Sequence, residues 1–292
     1  MEKDNSYSGR KALKSFKRGQ DMIFSNPILI REIEHRMRDN RTYWIPTVYM
    51  FVLSLVVIGV YITMALDPNI DGWIVGKTIF HSIGFVQMGI VTLLVPSISS
   101  VAITGERDKG TLPALLITPM PRWHITAGKF IASFLYILML VSTSIIFSAL
   151  SFGLGGVDIP AMGITYICIL TSTLFFSSIG LAISTFMKRT IPAILLTYVI
   201  VAFVIIGSII GQIIQDQIIQ QNQIIQDSQT SPHNNMTFLY LNPFIPLILN
   251  ITDEMIFNYD TIPRWWITLI IYILISALSI AIANYRISRM RE

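Results

Sequence analysis

Few residues of this sequence are arranged so that they could do chemistry, and the best candidate for an ATP site fails on spacing. The stretch from Gly72 to Thr78 reads GWIVGKT, with three residues between its glycines. A phosphate-binding P-loop has four residues at that point and follows a β-strand, which the sequence does not predict here. We therefore expect this chain to bind neither ATP nor Mg²⁺.

The histidines and the single cysteine form neither a metal site nor an activated nucleophile. The four histidines are scattered, and REIEH around His35 is not the zinc-binding H-E-x-x-H sequence. Cys168 lies within an apolar run, which excludes a disulfide framework and a thiol-ligated metal. No serine or cysteine has a recognisable base beside it. The sequence thus predicts no catalytic, cofactor-binding or metal-binding residue, and we do not expect an enzyme.

Long apolar stretches make up most of the chain. Of the 292 residues, 53% are hydrophobic and 13% are charged, against roughly 25% charged in globular proteins. Six stretches are long enough to cross about 30 Å of hydrocarbon as helices. They are Trp44–Leu66, Ile79–Ile103, Phe130–Leu154, Met162–Phe186, Ile191–Gly211 and Trp265–Ala283. The predicted fold is an all-α integral membrane protein, with an N-terminal segment over 1–43 and one six-helix domain over 44–292.

The predicted spans lack the charged groups that couple a transporter to an ion gradient. Transporters driven by protons or sodium place ionisable side chains near the middle of the membrane. The spans contain no Asp, Glu, Lys or Arg, and their polar residues include Ser, Thr and Gln87. If the protein transports a substrate, the energy must come from elsewhere.

The basic residues predict the orientation of the spans. All but two of the 21 Lys and Arg residues, Lys77 and Arg264, fall on one side of the six-span arrangement. Because basic loops stay in the cytoplasm, both termini are predicted to be cytoplasmic. This distribution follows topology and is not grouped like a nucleic-acid footprint, so we expect no nucleic-acid partner.

The predicted outer segment after Gly211 has two parts. Isoleucine pairs recur among Gln and Asp in residues 213–230, a pattern compatible with a partly exposed extension of span five. The following FLYLNPFIPLILN is too short to span and is interrupted by Pro243 and Pro246. We expect a re-entrant or interfacial element before the last span.

The N-terminal segment predicts an amphipathic helix before span one. Asn26 and Pro27 are favourable residues for a helix start. Leu29, Ile33 and Met37 share one face of the helix that follows. This pattern favours a helix at the membrane surface, although a basic anchor that only fixes topology is an alternative.

The connection between spans two and three contains a charged turn and a short apolar helix. Gly105 and Gly110 bracket a sequence of alternating charge, and Thr111 can cap the helix that follows. Three leucines line that helix: Leu112, Leu115 and Leu116. An apolar helix exposed in a short loop favours a partner that covers it, or else a helix that dips into the headgroups.

Several of these stretches resemble one family. GERDKGTLPALLITPMPRWHITAGK is similar to the sequence around the coupling helix of ABC-2-type permeases, the membrane subunits of many bacterial ABC exporters. NPILIREIEHRMR resembles their N-terminal interfacial helix, and YLNPF resembles their outer segment. The sequence departs from the leucine-rich family pattern at Pro113, which would shorten the coupling helix.

The resemblance implies a permease driven by a separate cytoplasmic ABC ATPase, which binds ATP and Mg²⁺. It implies a second permease subunit, identical or paralogous, and a place in the bacterial plasma membrane. Seven residues are then expected to contact the ATPase: Glu106, Arg107, Gly110, Thr111, Leu112, Leu115 and Leu116. The family favours export, and the uncharged interior favours a hydrophobic or amphipathic substrate such as a peptide, lipid or drug. The alternative is a membrane anchor or immunity-type binding protein without a transport cycle.

Overall fold

A computed structural model of the chain describes residues 41–65, 70–113, 122–226, 241–252 and 265–289, together with five single residues. Those five are Leu29, Ile30, Glu32, Glu34 and Phe238. Within these residues the chain forms eight helices of at least eight residues and no strand. They are α1 (Arg41–Ala65), α2 (Gly72–Asp108), α3 (Arg122–Thr143), α4 (Ile145–Gly153), α5 (Ile159–Phe186), α6 (Thr190–Gln226), α7 (Ile245–Thr252) and α8 (Trp265–Arg289).

The predicted all-α fold with six membrane-spanning helices is confirmed. Six helical stretches of the described chain are long and apolar enough to cross a membrane, with α3 and α4 together forming span three. Spans one, two, four, five and six are α1, α2, α5, α6 and α8. Three helices continue beyond the predicted C-terminal ends of their spans: α2 to Asp108, α6 to Gln226 and α8 to Arg289. The extension of α6 agrees with the isoleucine and glutamine pattern after Gly211.

Span four lies at the centre of the bundle. In α5, 72% of the most apolar stretch is buried, against 17% in α1. Its closest contact is with α2, where a Cβ added to Gly180 would lie 2.0 Å from Oγ of Ser99. Small residues permit such close approach between membrane helices, which associate through packing rather than through the hydrophobic effect. The serine and glycine content of these two spans therefore sets the geometry of the bundle.

The predicted outer element before the last span packs against the bundle. Helix α7 is short, and Leu247 within it is buried in the main core cluster. Just before this helix, the Tyr272 hydroxyl of span six donates to the Leu241 carbonyl oxygen at 2.8 Å. The amide of Phe244 donates to the Asn242 side chain at 3.0 Å, as in a helix cap. Its re-entrant position in a membrane stays a prediction.

The predicted N-terminal helix is described at four positions only. Leu29, Ile30, Glu32 and Glu34 are helical, with Leu29 buried and Ile30 exposed. Ile33 and Met37, the other residues of the predicted apolar face, lie outside the described residues. Whether this helix lies on a membrane surface stays a prediction.

Candidate functional site

The charged turn, residues 105–111, ends span two in a well-defined helix cap. Gly110 has a φ of +70°, a backbone conformation that glycine adopts without steric cost. The Gly110 amide donates to the Arg107 carbonyl at 3.1 Å, and the Thr111 amide donates to the Glu106 carbonyl at 2.9 Å. These two bonds around a left-handed glycine define a Schellman motif. The motif fixes the direction in which the chain leaves span two.

A buried lysine ties this turn to span three and to the N-terminal helix. The side chain of Lys129 in α3 is only 3% exposed. Its Nζ lies 3.3 Å from Oε1 of Glu106 and 3.5 Å from Oε2 of Glu32. The second carboxylate oxygen of Glu106 accepts a hydrogen bond from the Thr111 hydroxyl. Because a buried ammonium group requires a charged partner, Lys129 holds these three segments together.

The next two residues of the turn connect span two to spans four and five. The Arg107 guanidinium donates to the Met187 carbonyl oxygen, at the end of span four. Oδ2 of Asp108 accepts the Thr190 amide at 2.9 Å and also the Thr190 hydroxyl. A carboxylate at this position caps the first turn of α6 and interacts favourably with its helix dipole.

Span six reaches the same end of the bundle. The guanidinium of Arg286 in α8 lies 5.2 Å from the centre of the Phe186 ring, within the range of a cation–π interaction. A small core cluster lies beside it, formed by Ala102, Ile103, Leu181, Ala283 and Ile287. Every span except the first therefore contributes a residue to this group of contacts around the charged turn.

The leucines of the predicted coupling helix are described only at its start. Leu112 is half-buried and packs against the small core cluster, so it attaches the start of this helix to the bundle. The next residue, Pro113, is exposed and helical. Leu115 and Leu116 lie outside the described residues, and their contact with a partner stays a prediction.

Sequence reasoning located the charged turn but missed the groups that hold it. In the structure Glu106, Arg107 and Thr111 each bond within the chain, and their predicted contact with an ATPase stays a prediction. Lys129 was read only as part of a family motif. One signal for its role was present, because a lysine at the edge of an apolar span must find a carboxylate once it is buried. Asp108 gave no such signal, since its partner is 82 residues away in the sequence.

This arrangement of ion pairs and hydrogen bonds can transmit movement between the segments that it joins. Ion pairs and hydrogen bonds join the charged turn, at the end of span two, to spans three, four and five. Through Lys129 the turn is also tied to the N-terminal helix, so a force on the turn acts on all of these segments. Interlocked groups of this kind move as rigid bodies rather than deforming locally. The charged turn is thus placed so that a force applied from outside the membrane domain would reach several spans.

Comparison with known proteins identifies the family of this chain. A family profile described as ABC-2 family transporter protein matches residues 26–291, nearly the whole chain. No curated protein matches the chain in a direct sequence comparison. The match includes the six spans, the charged turn and the buried Lys129. The chain therefore belongs to the ABC-2 family of transporter proteins and is the membrane-spanning permease of an ABC transporter.

Proposed function

We propose that this permease works with a separate cytoplasmic ABC ATPase, which pushes on the charged turn and the short helix after it. ATP binding and hydrolysis would take place entirely in that partner, with its Mg²⁺. The permease chain contributes no catalytic residue, and its role is to convert movement of the ATPase into rearrangement of the spans. Both termini and the charged turn would then lie in the cytoplasm, in a bacterial plasma membrane.

The observation that carries this proposal is the double ion pair of Lys129. A turn that served only to connect two spans would not need a buried lysine with two carboxylates. Burying an ammonium group costs several kcal/mol before its partners are counted. The ion pairs of Lys129 therefore add little net stability to the fold, and their main effect is to fix the positions of the segments that they join. The pairing makes the turn, span three and the N-terminal helix one mechanical unit.

The predicted contact residues divide into two roles. We assign Glu106, Arg107 and Thr111 to holding the turn, because each already bonds within the chain. Gly110 sets the direction of the exit from span two. Leu115 and Leu116 would contact the ATPase, and Leu112 would join this contact to the core. An apolar helix that protrudes from a rigid mount is suited to filling a groove in a partner.

The remaining parts of the proposal concern the cargo and the second subunit. The described spans carry charged side chains only near their ends, while hydroxyl groups line the contact between spans two and four. This supports a hydrophobic or amphipathic substrate, such as a peptide, lipid or drug, while export is proposed only from the resemblance to the family. A second permease subunit, identical or paralogous, would complete the pathway, because spans one, five and six leave most of their apolar surface uncovered in one chain.

A substitution at Leu115 tests the proposed ATPase contact. Leu115→Asp would place an unpaired carboxylate in an apolar groove, at a cost of about 2–4 kcal/mol. That corresponds to a loss of affinity of roughly 30- to 1,000-fold. We expect an ATPase to co-purify with the wild-type permease from native membranes and to be lost from the Leu115→Asp protein.

Leu154→Asp is the matched control, since Leu154 is 37% exposed in the turn after α4, at the opposite end of span three. This protein should retain the ATPase, and thermal unfolding of all three proteins should show that each is folded. Full recovery of the ATPase with a folded Leu115→Asp protein would show that the contact lies elsewhere. If no ATPase co-purifies with the wild type, the anchor or immunity-type alternative is favoured.

A further inference from the structure

One exposed face of span six forms an apolar stripe that ends in an aromatic ring and a cation. Its members are three or four residues apart in α8, so they lie on the same side of the helix. Each of them is exposed at the surface of the bundle. From near the middle of the span to its C-terminal end, this span-six stripe consists of Leu274, Leu278, Ile282, Tyr285 and Arg289.

The span-six stripe has the length of one membrane leaflet. Because a helix rises about 1.5 Å per residue, Leu274 lies about 16 Å from Tyr285 and about 22 Å from Arg289 along the axis. One leaflet measures about 15 Å across its hydrocarbon and about 20–22 Å with its headgroups. With Leu274 near the middle of the bilayer, the Tyr285 ring reaches the hydrocarbon boundary. The Arg289 guanidinium then lies at the level of the lipid phosphates.

Two arginines at this end of the bundle lie over aromatic rings. The guanidinium of Arg289 lies 5.0 Å from the centre of the Tyr285 ring, and that of Arg286 lies 5.2 Å from the centre of the Phe186 ring. Phe186 is the last residue of α5 and is itself exposed. A guanidinium group stacked on a ring keeps its N–H groups, which lie in its plane, for other partners. Both arginines can therefore donate hydrogen bonds to an anion at the headgroup level.

No carboxylate of the described chain pairs with these arginines. The carboxylate of Asp108 interacts with Arg189. Among the residues that the structure describes, Arg286, Arg289 and Lys188 are exposed and form no ion pair. Cations that share one end of the bundle repel one another unless an anion lies among them. This end of spans four and six is therefore suited to an anion from outside the chain.

We propose that the span-six stripe, together with Arg286, binds one anionic phospholipid. The lipid phosphate would accept charge-assisted hydrogen bonds from the guanidinium groups of Arg286 and Arg289. An acyl chain would lie along the apolar part of the stripe. Because Arg286 is stacked on Phe186 of span four, the bound lipid would link spans four and six at the headgroup level. This site is a property of the permease and is tested without an ATPase.

A second permease subunit is the other molecule that could cover the span-six stripe, and the charges oppose it there. Identical subunits inserted in the same direction present the same residues at the same depth in the membrane. A contact between two copies of the stripe would bring their Arg289 side chains together. Like charges across an interface oppose association. The stripe therefore favours an anionic lipid over a second copy of the chain.

Lipid titrations followed by native mass spectrometry test this inference. The purified permease is freed of lipid in mild detergent and titrated with phosphatidylglycerol or with phosphatidylcholine, whose headgroup has no net charge. One cation near an anionic headgroup changes the affinity roughly 5-fold. We therefore expect Arg286→Gln and Arg289→Gln each to weaken phosphatidylglycerol binding about 5-fold, and the double variant to weaken it about 30-fold. The affinity for phosphatidylcholine should stay the same in all of these proteins.

Lys109→Gln is the matched control, because it removes one exposed cation from the charged turn and leaves the stripe intact. Its affinity for phosphatidylglycerol should equal that of the wild type. Thermal unfolding identifies any variant that fails to fold, and if the double variant fails, the two single variants carry the test.

Three results would overturn the proposal. The first is an unchanged affinity for phosphatidylglycerol in the folded arginine variants, or an equal loss in Lys109→Gln. The second is displacement of the lipid by an excess of inorganic phosphate, which would indicate a phosphate site instead of a lipid site. The third is a permease dimer that takes up no phosphatidylglycerol, because a second copy would then cover the stripe.

Discussion

Replacing Lys129 by methionine should destabilise the membrane domain and loosen the charged turn. Methionine keeps most of the side-chain volume but removes the ammonium group between Glu32 and Glu106. The two carboxylates then lie near each other without a cation. Breaking a buried ion pair by removing one partner costs about 3–5 kcal/mol.

The expected loss is smaller here, because the carboxylates are not fully buried. The side chains of Glu32 and Glu106 are 21% and 25% exposed, so water can solvate them in part once the lysine is gone. Methionine also avoids the desolvation cost that the Lys129 ammonium incurs. We therefore expect a decrease of about 1–3 kcal/mol in the free energy of unfolding.

The assay is unfolding of the purified permease in mixed micelles of mild detergent and dodecyl sulfate. Lys109→Met is the control, since Lys109 is exposed in the same turn, and it should unfold like the wild type. A triple variant, Lys129→Met with Glu32→Gln and Glu106→Gln, should recover most of the lost stability, because no charge remains unpaired. If Lys129→Met is as stable as the wild type, or if the triple variant recovers nothing, the ion pairs do not hold the turn.

Three further predictions concern topology, energy coupling and packing. Cys168 is first replaced, so that an introduced cysteine is the only thiol in the protein. Thr230→Cys should then react with an impermeant thiol reagent in intact cells, and Asp108→Cys should not. The reverse labelling pattern would show that the proposed orientation is inverted. The purified chain should neither bind nor hydrolyse ATP, and turnover that persists after exhaustive purification would contradict this. Gly180→Ala should lower the free energy of unfolding by about 1–3 kcal/mol through overpacking, whereas Gly89→Ala, where a Cβ meets nothing within 4 Å, should be close to neutral in the same unfolding assay.

The sequence was sufficient to predict the fold class and the number of spans. An uninterrupted apolar stretch of about 20 residues indicates a membrane-spanning helix, so each span can be identified from local composition alone. The extension of α6 was also readable, because isoleucine pairs at helical spacing continue past Gly211. The break between α3 and α4 was not, because its run of hydroxyl residues, Ser142 to Ser144, resembles the run Thr171 to Thr173 inside the unbroken helix α5.

The contacts of the site could not be predicted to the same degree. The Schellman motif was partly visible, since Gly110 after a charged helix end indicates a cap. The partners of Lys129, Arg107 and Asp108 depend on which spans are neighbours in the bundle. Helix packing in membranes is decided by small residues such as Gly180 and Ser99, whose sequence pattern does not specify which helix lies opposite.

The central claim is that the helix after the charged turn contacts an ABC ATPase, and a photocrosslinker in place of Leu115 tests it most directly. A benzophenone amino acid at this position should, on illumination of intact membranes, form a covalent adduct with a protein that contains the Walker motifs of an ATPase. The same amino acid in place of Leu154, at the opposite end of span three, should give no such adduct. An ATPase adduct from Leu154, or none from Leu115 in a folded and inserted protein, would contradict the account.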